Sequence, residues 1–172
     1  SNPTATLHFF NDEMEDCANG YAAFILELVE TARQTCRDPI VLIEQRLDFS
    51  RYVRAGFGTG DCVLIADGTL HVVDYKHGQG VLVEAEGNPQ MMLYALGALE
   101  LFDGIYDIST VSMTIYQPRR ENVSTHTVFK ESLYQWAEYV LRPASEQAYA
   151  GEGAFRCGDW CRFCKAKSEC RT

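Results

Sequence analysis

No apolar run in this 172-residue chain reaches the roughly 18 residues that a membrane span requires. The first residues also lack the basic-then-apolar pattern of a secretory leader, so a cytoplasmic protein with no membrane partner is expected. Internal repeats, low-complexity segments and flexible linkers are missing as well, which excludes repeat architectures and points to one domain with a real core. Positive charge is short: 15 Lys and Arg face 24 Asp and Glu, for a net charge of −9. Mean charge of that sign cannot draw the chain to nucleic acid. The distribution is less one-sided, because five of the 15 basic residues (Arg156, Arg162, Lys165, Lys167 and Arg171) fall in the last seventeen positions. Arg46, Arg51, Arg54 and the Arg119-Arg120 pair are further local positives, and acids crowd the first helix instead. Each such cluster reads equally well as a solvated face. Cysteine is abundant: there are seven, four of them in the last sixteen residues. In a cytosolic chain that pattern indicates metal or redox chemistry rather than a disulfide scaffold.

Hydrophobic periodicity divides the chain into alternating element types. Met14, Ala18, Tyr21, Ala22, Ile25, Leu28, Val29 and Ala32 recur at helical spacing over residues 12–36, and Asp38-Pro39 ends that helix. Pro39 to Asp48 reads as a strand, residues 49–59 as a loop, and residues from Gly60 to Lys76 as a hairpin. A glycine-punctuated stretch, His77 to Gly87, leads to Asn88-Pro89, where asparagine as cap and proline in the first turn open a helix running to Phe102. That helix is apolar almost all round and should be buried. Strands follow at 110–117 and 123–129, then a helix over 131–150 bent or interrupted at Pro143, then the cysteine tail. The fold class is α/β, with residues 1–154 as the main domain and 155–172 as a metal-binding appendix.

The hairpin carries the most chemistry. Asp67-Gly68 lies between two apolar runs, the strongest short hairpin signal. With the turn there, Ala66 pairs with Thr69, and counting back sets Asp61 opposite Asp74. Facing side chains have Cβ atoms about 5 Å apart, and two like charges so placed repel unless a cation lies between them. A divalent ion suits carboxylate oxygens. Lys76 shares the face by alternation, while Tyr75 and His71 point away. Gln90 and Tyr94, four apart, share a face at the start of the buried helix, where free N–H groups also suit a phosphate. The plain alternative is that Gln90 ties down the neighbouring loop and Tyr94 is core.

Gly60-Asp61, Asp74-Tyr75-Lys76 and Gln90-Met91-Met92-Leu93-Tyr94, in that order, resemble the motif series of the PD-(D/E)XK nuclease superfamily, and most nearly its RecB-like exonuclease branch. The wording around these motifs is similar to phage-encoded members of that branch. The resemblance covers roughly residues 40–172 and implies a restriction-endonuclease-like α-β-β-β-α-β core with a mixed central sheet. It implies a metal-dependent DNA nuclease, an exonuclease acting in phage recombination or repair, with DNA and a phage recombination protein as partners. Asp61, Asp74 and the carbonyl of Tyr75 would hold Mg²⁺ or Mn²⁺. Lys76 would position the attacking water, Gln90 would orient Lys76 or a phosphate, and Tyr94 would support Gln90. Glu44 stands where such nucleases carry a further glutamate, either as a third acid or behind the first two, unless it simply partners Arg46. His8 is the one histidine placed to serve as an upstream ligand.

Cys161-x2-Cys164-x5-Cys170 resembles the tail of the iron–sulfur members of that branch, in which a fourth cysteine upstream completes a [4Fe–4S] cluster. Cys17 is the nearest upstream candidate, and Cys157 could instead close a local four-thiolate site. Zinc or a cluster would fit such a site. Cys36 and Cys62 read as buried structural residues. The competing function is a DNA-end-binding or adaptor module of nuclease fold that does not cut. A third is a zinc- or cluster-binding interaction protein.

Overall fold

The computed structural model describes residue 8 and residues 10–170. Helix α1 (Asp12–Arg33) comes first, followed by strands β1 (Ile40–Asp48), β2 (Phe57–Ala66) and β3 (Thr69–Tyr75). Helix α2 (Pro89–Phe102) leads to β4 (Thr110–Gln117) and β5 (Asn122–Phe129), and helices α3 (Lys130–Trp136) and α4 (Arg142–Tyr149) complete the body. The five strands form one mixed sheet in the order β1-β2-β3-β4-β5, antiparallel except for the parallel β3–β4 pair. A parallel pair needs a crossover, and α2 provides it.

Two apolar layers follow from that path. Leu47, Val63, Ile65, Leu70, Val72, Val111, Met113 and Ile115 pack against Met91, Ala95, Leu96 and Leu99 of α2. On the other side, Cys62, Leu64, Ala66 and Val73 pack against Ile25 and Val29 of α1. Neighbouring residues of β2 and β3 thus serve opposite layers, as strand alternation demands. Gly97 permits α2 to lie this close, since a Cβ there would stand 2.9 Å from Leu47 Cβ. The fold is α/β with helices on both faces of the sheet.

Several element boundaries differ from the sequence expectation. Helix α1 stops at Arg33 rather than residue 36, and Thr35 and Cys36 both turn back onto the carbonyl of Ala32. Strand β2 begins at Phe57, inside the segment expected to be loop. Gly58 and Gly60 belong to it because Tyr94 and Leu47 fill the space their side chains would need. Helix α2 is buried over most of its circumference, but Glu100 and Leu101 are exposed. The last helix is interrupted near Pro143, as expected, but the break falls just before the proline. A π-helical turn (Ala137–Leu141) separates α3 from α4, one turn before the proline. The pyrrolidine ring crowds the carbonyl four residues earlier, and widening that turn relieves the clash.

No helix among the described residues is long and apolar enough to cross a membrane. Beyond α4 the chain holds one short 3₁₀ segment, Asp159–Phe163, with exposed side chains around it.

Candidate active site

Asp67 and Gly68 both take positive φ (48° and 73°), the type I′ geometry whose twist matches the flanking strands. The register expected from that turn is the one observed: Ala66 opposite Thr69, then each pair in step to Cys62 opposite Val73. One step further lie Asp61 and Asp74, and there the ladder stops. The N–H of Tyr75 donates instead to Asp61 Oδ2 at 2.6 Å. A backbone donor released by the parting strands would be costly if left unpaired, and the carboxylate takes it.

Glu44 stands at the same level on β1. Ile43 pairs with Cys62 and Gln45 with Gly60, which brackets Glu44 opposite Asp61. Glu44 itself has φ 53°, a left-handed conformation in mid-strand that costs about 1–3 kcal/mol in a non-glycine residue. The distortion switches which face β1 presents. Leu42 and Leu47, five apart, enter the same apolar layer, which uninterrupted alternation forbids. Glu44, Asp61 and Asp74 therefore sit on three adjacent strands at the one level where both ladders are broken.

Asp74 is only 4 % exposed. Its Oδ1 accepts from Gln90 Nε2 at 3.2 Å. Lys76 Nζ lies 2.7 Å from Oδ2 but off the hydrogen-bonding direction, so that buried oxygen has no hydrogen bond. Burial raises the Asp74 pKa above its ordinary 3.8; the Lys76 ammonium pulls it down and the Asp61 charge pushes it up again. A carboxyl so raised adds stability while protonated and loses it as pH climbs through its folded value. Asp74→Asn, which mimics the protonated form, is therefore expected to melt above the wild type at pH 7.5. The gain should vanish as pH falls below about 4. Thermal melts across that range test it, and an Asn variant that is less stable at neutral pH would reverse the sign.

Helix α2 aims Gln90 and Tyr94 at the same place. Asn88 caps it, its Oδ1 accepting from the N–H groups of Gln90 (3.0 Å) and Met91 (3.2 Å). The N–H groups expected to be open to a phosphate are thus taken by the cap. Gln90 Oε1 accepts from Lys76 Nζ at 2.9 Å, and Gln90 Nε2 donates to Tyr94 Oη at 3.1 Å. Because Lys can only donate and Asp74 accepts, one amide orientation satisfies both. Asp74, Lys76, Gln90 and Tyr94 form one connected network.

Tyr21, read from the sequence only as part of an apolar helix face, lies on the α1 side of the sheet behind the acids. Its hydroxyl is buried without a partner, and its ring packs on Tyr75 and Tyr116 at centroid distances of 5.1 and 5.5 Å. Burial raises its pKa first, and the charges of Asp61, Asp74 and Glu44 add to that. The available signal was a tyrosine where phenylalanine would serve packing equally well. His77 Nδ1 lies 2.9 Å from Tyr75 Oη, which ties the loop after β3. His71 pairs with Leu64 and sits on the α1 side, away from the acids. His8 is exposed ahead of α1.

The donors that a cation would meet are all oxygen: the carboxylates of Asp61 and Asp74 and the carbonyl of Tyr75. A hard divalent ion that keeps part of its water shell fits that set, and Asp74 Oδ2, buried and paired only with the Lys76 ammonium, remains open to it. Among the described residues no three His, Cys, Asp or Glu side chains are grouped to hold a metal by themselves. The tail thiols share that condition: Cys157, Cys164 and Cys170 are exposed, Cys161 is half-buried with its Sγ accepting from Gly158 N–H, and they do not converge. Cys17 lies in α1, Cys62 is fully buried, and Cys36 is half-buried beneath α1.

Two of the arginines read from the sequence as local positives are ion-paired, Arg51 with Glu100 and Arg119 with Glu13, and Arg142 of α4 pairs with Glu138. Arg46 and Arg54 lie over the rings of Phe57 and Tyr149 at 3.9 and 4.2 Å.

These features define an α/β protein with a five-stranded mixed sheet and a carboxylate–lysine–glutamine network where the first three strands part. The chain belongs to the family described as DUF2800, Protein of unknown function, which matches residues 1–172. Among solved structures it is similar to the crystal structure of SSO0001, at 12 % identity over 90 % of this chain and 70 % of that one, with a TM-score of 0.38. A likeness of that degree carries no argument about fold or site.

Proposed function

We propose that this chain is a metal-dependent DNA nuclease of the PD-(D/E)XK type with a restriction-endonuclease-like core, an exonuclease of the RecB-like, phage-type branch. The observation that carries the reading is the network in which Lys76 is held by Gln90 and Asp74 beside Asp61. Asp61, Asp74 and the Tyr75 carbonyl would hold Mg²⁺ or Mn²⁺, which when bound neutralises phosphate charge and lowers the pKa of water. The chain's own groups supply the rest. Lys76 sets a cation beside the reacting phosphorus, where charge grows during displacement, and preorganised charge there lowers the barrier. Gln90 fixes the ammonium in place, and Tyr94 fixes Gln90. Glu44 keeps the level open by its strained backbone and adds a third acid on the β1 side. The element order, three strands, a helix and a further strand after α1, supports the same assignment. In the same reading zinc or a [4Fe–4S] cluster would draw together Cys157, Cys161, Cys164 and Cys170, or three of them with Cys17, and DNA and a phage recombination protein are the partners.

Labelled linear DNA incubated with the purified protein should shorten in Mn²⁺ and stay intact in EDTA. Two observations favour a second reading, a DNA-end adaptor that does not cut: Asp61 is already engaged by a backbone N–H, and the chain's net charge is −9. Binding of DNA ends without shortening in Mn²⁺ or Mg²⁺ would establish that reading instead.

A further inference from the structure

Two contiguous cavities run from the proposed site to the cysteine tail. The first, about 440 Å³, is lined by Lys76, Gly78, Val81, Gln117, Arg162 and Phe163. The second, about 620 Å³, shares Val81, Arg162 and Phe163 with it and adds Trp160, Lys167 and one acid, Asp159. Each is of a size to take a nucleotide-scale ligand. Arg162 and Phe163 form the ridge between them, the guanidinium 5.6 Å from the ring centre.

The ridge and its surroundings are ordered by specific contacts. Gln117, 2 % exposed, accepts from Val83 N–H and donates to the Val81 carbonyl, which fastens the loop forming one wall. Trp160 Nε1 donates to the Arg156 carbonyl, and its ring lies where a Cβ on Gly158 would be 2.4 Å away, so only glycine admits it. Phe163 and Trp160 nevertheless expose 75 % and 66 % of their surface, far more than packing alone would leave. Among the described residues no ion pair engages Arg156, Arg162, Lys165 or Lys167, in contrast to the neutralised arginines of the body.

We propose that these two cavities are a track for single-stranded DNA, in which Phe163 stacks the nucleobase next to Lys76, Trp160 stacks a further base, and Arg162 and Lys167 hold the intervening phosphates. Exposed aromatic faces interleaved with free cations are what a single strand recognises, because every base has a π-face and every linkage a charge. A duplex offers no unstacked base to the ridge. The track rests on the nuclease reading for its link to Lys76, and it makes a tailed DNA end the preferred substrate.

The test uses the full chain without added Mg²⁺ or Mn²⁺ and with a tailed duplex carrying 2-aminopurine in its single-stranded tail. Binding should quench the 2-aminopurine, and the tailed duplex should bind about tenfold more tightly than a blunt one. Phe163→Ala should abolish the quench and weaken binding by about tenfold, while Phe163→Trp should retain both. Arg162→Gln with Lys167→Gln should reduce the salt slope by about 1.4, roughly 0.7 for each phosphate released. Both variants change exposed side chains, and a melt matching the wild type confirms that each is folded. Equal affinity for blunt and tailed ends, or a quench that survives in Phe163→Ala, would overturn the track. A quench without cleavage in Mn²⁺ keeps the track and removes the nuclease reading; cleavage without a quench does the reverse.

Discussion

Asp74→Ala and Lys76→Ala are each expected to cut Mn²⁺-dependent cleavage of linear DNA by about a hundred- to a thousandfold. The two variants should fail for different reasons. Asp74→Ala removes a carboxylate from the cation's donor set together with the acceptor of Gln90 Nε2. Lys76→Ala leaves the donor set intact but strips the charge held 2.9 Å from Gln90 and 2.7 Å from Asp74. Cation binding should therefore survive in Lys76→Ala and be weakened in Asp74→Ala. The double variant should be little slower than either single one, because groups acting as a unit are not additive. Both proteins should remain folded, since the apolar layers lie deeper along the same strands. Cleavage at wild-type rate in either variant would place the chemistry elsewhere.

Gly58→Ala should be nearly as damaging without replacing a site residue. A Cβ at position 58 would lie 2.4 Å from Tyr94 Cε1 and 3.1 Å from Cζ. The ring must turn or β2 must retreat, and either movement breaks the bond from Gln90 Nε2 to Tyr94 Oη. Gln90 then loses one of its three anchors and Lys76 loses its fixed position. Misplacement of about 1 Å can cost about a hundredfold, so kcat should fall by about that factor while KM changes little. Overpacking should also destabilise the fold by about 1–3 kcal/mol. Adding Tyr94→Ala should restore the stability but not the rate, which separates crowding from positioning. A Gly58→Ala protein with wild-type kcat would show that Tyr94 does not hold the network.

What could be read from the residues was largely what alternation and turn chemistry control. Asp67-Gly68 fixed the hairpin register, because a two-residue turn with both residues at positive φ leaves one way to pair the strands. The four-residue spacing of Gln90 and Tyr94 likewise placed both on one side of α2, where they now share a hydrogen bond. What stayed hidden depends on tertiary crowding. Glu44 looks like an ordinary strand residue, and its positive φ arises only where β1 changes the face it presents. Phe57 to Thr59 read as loop because glycine is a poor strand former, yet Gly58 is in the sheet because Tyr94 occupies its side-chain space. Tyr21 lay in a helix whose periodicity announced packing, and nothing local reveals that its hydroxyl would be buried without a partner while its ring packs on Tyr75 and Tyr116. The open helix start was misjudged for a simpler reason: the asparagine that signalled the cap also consumes the N–H groups.

The account depends on Asp61 and Asp74 gripping one divalent ion beside Lys76, and Mn²⁺ titration followed by electron paramagnetic resonance tests that most directly. Free Mn²⁺ gives a six-line signal that fades on coordination. Wild-type protein should remove one equivalent of that signal, and Asp61→Asn and Asp74→Asn should each leave it nearly undiminished. A wild-type signal that never fades, or one that fades equally in both Asn variants, would contradict the account.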